Sequence, residues 1–208
     1  MKRIFLSVIA ALFSVAMLSA QTAEDIIARM DAEMDKSDQT GLSITMEMGV
    51  PIIGKITARI NTHGDYSRTE MSAKDLKSTL WSDGTTTWTY TPGDNELVID
   101  KVPESGSSNE DNVRMLKGIT SGYDVKLTKE TADAWYFDCK KSKSNTDKDD
   151  PKNMTLVVAK GTYMPLELST KIKGIAISLK DPVLGVSEAD VKFDMSKVPA
   201  GVKVTDKR

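Results

Sequence analysis

Strict alternation of apolar and polar residues restricts this chain more than any other feature. Ile44, Met46, Met48 and Val50 stand between Ser43, Thr45, Glu47 and Gly49, and Ile56, Ala58 and Ile60 between Lys55, Thr57 and Arg59. A period of two sends alternate side chains to opposite faces of a strand, so each such strand has one apolar face that must be covered. The pattern recurs over Leu76 to Trp81, Thr85 to Tyr90, Leu97 to Val102, Val125 to Leu127, Trp135 to Cys139, Met154 to Val158, Leu166 to Ile172 and Ile175 to Leu179. Phe193 is expected in a last short strand. Pro51 to Gly54, Asp83-Gly84 and Thr91-Pro92-Gly93-Asp94 supply turns. A single sheet of so many short strands has to curl. The expected fold class is mostly β (α+β), with one curved antiparallel sheet whose concave face needs a cover.

Two segments qualify as that cover. Thr22-Ala23-Glu24-Asp25 has the form of a capping box, and Ile26, Ile27, Met30 and Met34 follow at helical spacing to near Ser37. Ser108-Asn109-Glu110-Asp111 opens a second helix over roughly 109–118, with Val113, Met115, Leu116 and Ile119, closed by Gly118. Ser187 to Asp190 offers one further helical turn. Lys140 to Asn153 is nearly all Lys, Ser, Asp and Asn, a solvated loop.

The N-terminus reads as a secretory signal peptide. Lys2 and Arg3 precede an apolar run from Ile4 to Leu18, and Ser19-Ala20 gives small residues for a cut before Gln21. The run is short of the roughly 20 residues a membrane span needs. Gln21 is not the Cys to which a lipid anchor would attach. The expected division is therefore a signal peptide over 1–20 and one domain over 21–208, exported and soluble. Without Lys2 and Arg3, basic residues stand at 26 against 30 acidic, a net charge of −4. That balance gives no reason to expect nucleic-acid binding, nor attraction to an anionic membrane by charge alone. Cys139, the one cysteine, shares a strand face with Trp135 and Phe137 and reads as a small buried hydrophobe.

Catalytic chemistry is not marked. The one histidine, His63, sits in the polar turn Asn61-Thr62-His63-Gly64-Asp65 and is expected to be exposed. No zinc ligand set, nucleophile elbow, phosphate loop or dinucleotide fingerprint occurs. The expectation is no enzyme, no metal and no cofactor. Eight methionines, Met30, Met34, Met46, Met48, Met71, Met115, Met154 and Met164, fall on predicted core faces or helices. They either fill a core or form a lining that re-packs around ligands of varied shape.

Leu80-Trp81-Ser82-Asp83-Gly84-Thr85-Thr86-Thr87-Trp88-Thr89-Tyr90-Thr91-Pro92 resembles the SDGKTLWxYxP hairpin of the LolA-type periplasmic lipoprotein carriers. Val191-Lys192-Phe193-Asp194, followed by Pro199-Ala200-Gly201-Val202-Lys203-Val204, resembles their closing strand, and Ile56 to Glu70 their early strand pair. The resemblance implies an unclosed β-barrel with a helical lid over an apolar cavity, in a periplasmic monomer. Members take a lipoprotein from an inner-membrane transporter, shield its acyl chains, and pass it to an outer-membrane acceptor. Each exposed methylene costs about 0.8 kcal/mol, so a diffusing acyl chain needs such a sleeve. The sequence departs from the family at the basic latch residue on an early strand, where Thr62 or Ile60 stands, with Arg59 nearby.

Alternation then nominates the cavity lining: Ile44, Met46, Met48, Ile56, Ile60, Leu80, Trp88, Tyr90, Leu166, Leu168, Ile175, Ile177 and Leu179. The nominated lid is Ile26, Met30, Met34, Met115 and Leu116, with the opening helix expected to cover the cavity and not to stabilise the sheet. The cargo would be lipoprotein acyl chains or free lipid. The alternatives are a non-transporting sensor or regulator of envelope lipoproteins, which binds a segment at a sheet edge, and a scaffold with a filled core.

Overall fold

The computed structural model describes residues 21–102 and 118–208. The signal-peptide reading lies outside the described residues, as do Met115, Leu116 and all but the end of the helix predicted over 109–118.

The chain opens with α1 (Ala23–Asp35). The Thr22 hydroxyl accepts from the Asp25 N–H at 3.1 Å, and the Asp25 carboxylate accepts from the Thr22 N–H at 3.4 Å. This is the predicted capping box, and it satisfies two donors that a helix start leaves unpaired. A short α2 (Ser37–Thr40) follows, and Gly41 at φ +71° turns the chain into the sheet. A Cβ at Gly41 would lie 2.4 Å from the Val186 carbonyl oxygen and 2.7 Å from that of Thr62, so only glycine fits.

Twelve strands then form one sheet: β1 (Leu42–Val50), β2 (Gly54–His63), β3 (Tyr66–Ala73), β4 (Leu76–Ser82), β5 (Thr86–Thr91), β6 (Glu96–Lys101), β7 (Tyr123–Glu130), β8 (Ala134–Lys141), β9 (Asn153–Ala159), β10 (Pro165–Ile172), β11 (Ile175–Leu184) and β12 (Lys203–Asp206). Their spatial order is β12-β6-β5-β4-β3-β2-β1-β11-β10-β9-β8-β7, so the sheet curves without closing and ends at β12 and β7. The β1–β11 pair joins the meander at the start of the chain to the meander at its end. All pairs are antiparallel except β12, which runs parallel to β6. A parallel pair needs a crossover. Residues 185–202 supply it through α3 (Glu188–Val191) and a 3-10 turn (Met195–Lys197).

Phe193 lies in that crossover and not in a strand. Val191 and Phe193 alternate like strand residues, but the Ser187 hydroxyl accepts from the Asp190 N–H at 3.3 Å and starts a helix. The Asp194 carboxylate then accepts from the Ser196 N–H at 2.8 Å and starts the 3-10 turn. The Phe193 ring stacks on Trp88 at 4.7 Å and meets Trp81 edge-on at 5.5 Å. With Leu97 and Val198 these rings form a small core on the convex side.

The main core lies on the concave side. Ile26, Met30 and Met34 of α1 are 0 % exposed and pack with Ile44, Ala58 and Ile60 of β1–β2 and with Trp135, Phe137, Cys139, Leu156 and Val158 of β8–β9. The stripe on α1 is thus buried against the concave face.

Candidate functional site

Directly paired residues on neighbouring strands share a face. Met46 pairs with Leu179 and Met48 with Ile177 across β1–β11. Leu179 pairs with Leu168 and Ile177 with Thr170 across β10–β11. Leu168 pairs with Leu156 and Thr170 with Met154 across β9–β10. The registers therefore assemble one continuous concave patch from four strands. The α1 helix fills the part of this side around Leu156 and Val158. Next to it a cavity of about 450 Å³ remains, lined by Met46, Met48, Met154, Leu168, Ile172, Ile177 and Leu179. Ile119, Tyr123 and Pro151 close its other side, with Ser121, Thr170 and Asp150 as its polar members. The volume falls within the range of small-molecule pockets, about 300–1,000 Å³, and an apolar wall with few polar groups is their usual composition. The Tyr123 hydroxyl donates to the Pro151 carbonyl at 3.0 Å. Burial, and secondarily Asp150, push its pKa up to about 12, so it stays neutral.

Five of the residues nominated from sequence meet in this cavity: Met46, Met48, Leu168, Ile177 and Leu179. Ile44 and Ile60 share their face but belong to the packed core beneath α1. Ile56 pairs with Met48 and shares its face but does not line the cavity. Ile175 pairs with Ile172 at the hairpin end of β10–β11. Leu80 is on the concave side several strands away, through Ile60–Thr69 and Thr69–Leu80. Trp88 and Tyr90 are not on that side. Leu80 pairs with Thr89, whereas Trp88 pairs with Trp81 and Tyr90 with Leu97, in the convex core. Leu166 is turned outward, 43 % exposed, because a bulge between Pro165 and Glu167 breaks the alternation. Ile119, Tyr123 and Ile172 were missed. Ile172 ends the Leu168–Thr170 face of β10 and could have been found by extending it, but no pattern signals where the 118–123 turn packs.

Helix α1 is fastened by its own cation. Arg29 Nη1 donates to the Tyr163 hydroxyl at 2.9 Å, Gln21 Nε2 donates to the same oxygen at 2.8 Å, and Tyr163 stacks on Trp135 at 5.4 Å. At the positions matched to the family's latch, the Thr62 hydroxyl donates to the Leu42 carbonyl at 3.5 Å and Ile60 is buried. Arg59 is exposed and alternates with Ile60, on the convex face.

No protein-family model and no curated protein matches the chain. Solved structures do. The lipoprotein LppX of Mycobacterium tuberculosis matches at 11% identity over 80% of this chain and 98% of its own, with a TM-score of 0.50. The chain shares the LppX fold. An uncharacterized conserved protein from Thermus thermophilus is similar at 17% identity over 90% of this chain and 100% of its own, TM-score 0.48. A LolA superfamily protein from Nitrosomonas europaea is similar at 14% identity over 82% and 96%, TM-score 0.35. At such identities the likeness concerns the fold.

Three further polar or titratable groups of this LppX-like sheet lie outside the cavity: Asp31, Cys139 and His63. A second cleft of about 540 Å³, between α1 and β7, carries Glu24, Asp31 and Asp124 and is ill-suited to acyl chains. Burial, then the Asp35 carboxylate, hold Asp31 above the usual carboxylate range, against the N–H of Gly118 that favours its charge. Its Oδ1 is buried without a hydrogen-bond partner. Cys139 is buried as expected, and burial, then Asp138, push its thiol up to about 11, which leaves it unreactive. His63 is not simply exposed: Nδ1 lies 2.8 Å from the Val186 carbonyl, which can only accept, so Nδ1 carries the proton. Among the described residues, no group of three or more His, Cys, Asp or Glu could hold a metal.

Proposed function

We propose that residues 21–208 form a carrier that shelters the acyl chains of a lipoprotein, or of another lipid, in the concave cavity. The observation that carries this reading is the wall of apolar side chains from β1, β9, β10 and β11 around about 450 Å³ that α1 does not fill. In a sheet built only for stability that volume would be occupied, since interiors are close-packed. Met46, Met48 and Met154 suit a lining that adapts to chains of different length. The proposal extends to export through the 1–20 signal peptide with cleavage at Ala20/Gln21. It extends also to a periplasmic monomer that receives its cargo from an inner-membrane transporter and yields it to an outer-membrane acceptor, without catalysis or cofactor.

The sensor reading is less well supported. Edge pairing would need an open strand, but β7 carries Lys126, Lys129 and a bulge between Leu127 and Lys129, and β12 has only four residues. Such devices discourage added strands. Native mass spectrometry of protein purified without detergent tests the carrier reading. Bound lipid, displaced by a fluorescent fatty acid, is the expected result. Protein that carries no lipid and binds no probe would leave only the filled scaffold.

A further inference from the structure

Three of the hairpins at one end of the half-barrel are Pro51 to Gly54 between β1 and β2, Lys74-Asp75 between β3 and β4, and Lys173-Gly174 between β10 and β11; the polar 92–95 turn and the polar 142–152 loop lie at the same end. The pairs Gly49–Ala176, Ile56–Ala73 and Ala73–Leu76 set these tips beside one another. The cavity reaches the same end, since Met48, Ile172 and Ile177 line it within a few residues of the tips.

The β1–β2 tip is apolar where a turn should be polar, and Leu76 stands exposed beside the Lys74-Asp75 tip. Ile52 is 100 % exposed, Leu76 73 % and Ile53 48 %. At the opposite end the turns are His63-Gly64-Asp65, Ser82-Asp83-Gly84 and Lys160-Gly161-Thr162. Ile52 is disfavoured twice over. Its φ is +74°, a region that a β-branched residue rarely enters. The Ile53 N–H donates to the Pro51 carbonyl at 2.9 Å, so Ile52 is the middle of a γ-turn of positive φ, a rare and strained form. Glycine would relieve both the backbone and the exposure to water. What isoleucine adds is a projecting apolar side chain. Lys74 and Lys77 flank it beside Asp75, while Lys55 is paired with Glu47 at 2.6 Å.

We propose that this end docks on a bilayer surface. Ile52, Ile53 and Leu76 enter the boundary between headgroups and acyl chains, Lys74 and Lys77 meet lipid phosphates, and the cavity mouth is held against the membrane. Apolar insertion supplies most of the affinity, and the lysines add attraction to anionic lipid. The purpose of the docking rests on the carrier reading, but its observations do not.

The test is flotation of the full mature chain with vesicles of phosphatidylethanolamine and phosphatidylglycerol. The parent should float, and Ile52→Gly combined with Ile53→Ser should lower the partition by about tenfold or more. The melting temperature should stay or rise, because glycine accepts the positive φ. Fatty-acid binding in vesicle-free solution should not change, since neither isoleucine lines the cavity. A polarity-sensitive dye on Ile52→Cys labels that position alone, Cys139 being buried, and should shift to the blue on the vesicles. A parent that stays in solution, a double variant that floats like the parent, or an unshifted dye overturns the proposal. So does a parent that dimerises through these residues without floating. Flotation without fatty-acid binding would uphold the docking and remove the carrier reading.

Discussion

Arg29 donates from Nη1 to the Tyr163 hydroxyl at 2.9 Å and holds its guanidinium carbon 5.1 Å from the centre of the same ring. One residue of the β9–β10 turn thus grips α1 by a hydrogen bond and a cation–π contact. Tyr163→Phe keeps the ring on Trp135 and removes the oxygen that serves Arg29 and Gln21. The expected cost is about 0.5–1.5 kcal/mol, at the low end because Arg29 is exposed. If α1 gates the cavity, fatty-acid release should also quicken. Denaturant titration and stopped-flow fluorescence check the two effects, and an unchanged release rate would count against a gate at α1.

Met30 and Met34 are completely buried beneath the sheet. Met30→Ser or Met34→Ser should each cost roughly 2–5 kcal/mol, from lost packing and a hydroxyl without a partner. Calorimetry should show a large fall in melting temperature. A small fall with weakened fatty-acid binding would restore these residues to the role of a loose lid.

Ile177 and Val158 are both apolar residues of the sheet, but only Ile177 borders the cavity. Ile177→Trp should fold with little loss and bind less fatty acid, because the enlarged side chain has open volume to enter. Val158→Trp, in the packed core, should lose about 1–3 kcal/mol or more. Equal destabilisation by both would show that the cavity does not yield.

Asp31 is pushed above the ordinary carboxylate range, first by burial and then by Asp35. A carboxyl with a raised folded-state pKa favours the fold in its protonated form. That contribution is complete below the unfolded pKa and is lost as pH rises through the folded one. At neutral pH the charge therefore works against folding. Asp31→Asn should raise the melting temperature there, with an advantage over the parent that shrinks on acidification. An advantage independent of pH would place the effect elsewhere.

The sequence by itself determined most of the strands, the capped helix and the single curved sheet, because these follow from local rules. Alternation fixes which side chains share a face, and Thr22 with Asp25 satisfies donors only three residues apart. It also marked Met46, Met48, Leu168, Ile177 and Leu179, whose strands keep their period past the cavity. The tertiary structure alone decided where that period is broken and which of the two faces is hollow. A bulge after Pro165 sends Leu166 outward, although its spacing from Leu168 is that of a facing pair. The pairing of Leu80 with Thr89 commits Trp88 and Tyr90 to the convex side, under a Phe193 that arrives from a crossover about a hundred residues later. The buried stripe of α1 and the cavity wall look alike in sequence, since both are Ile, Leu and Met at regular spacing. What separates core from cavity is how far α1 extends across the sheet, a distance set by the packing of remote segments and by no local pattern.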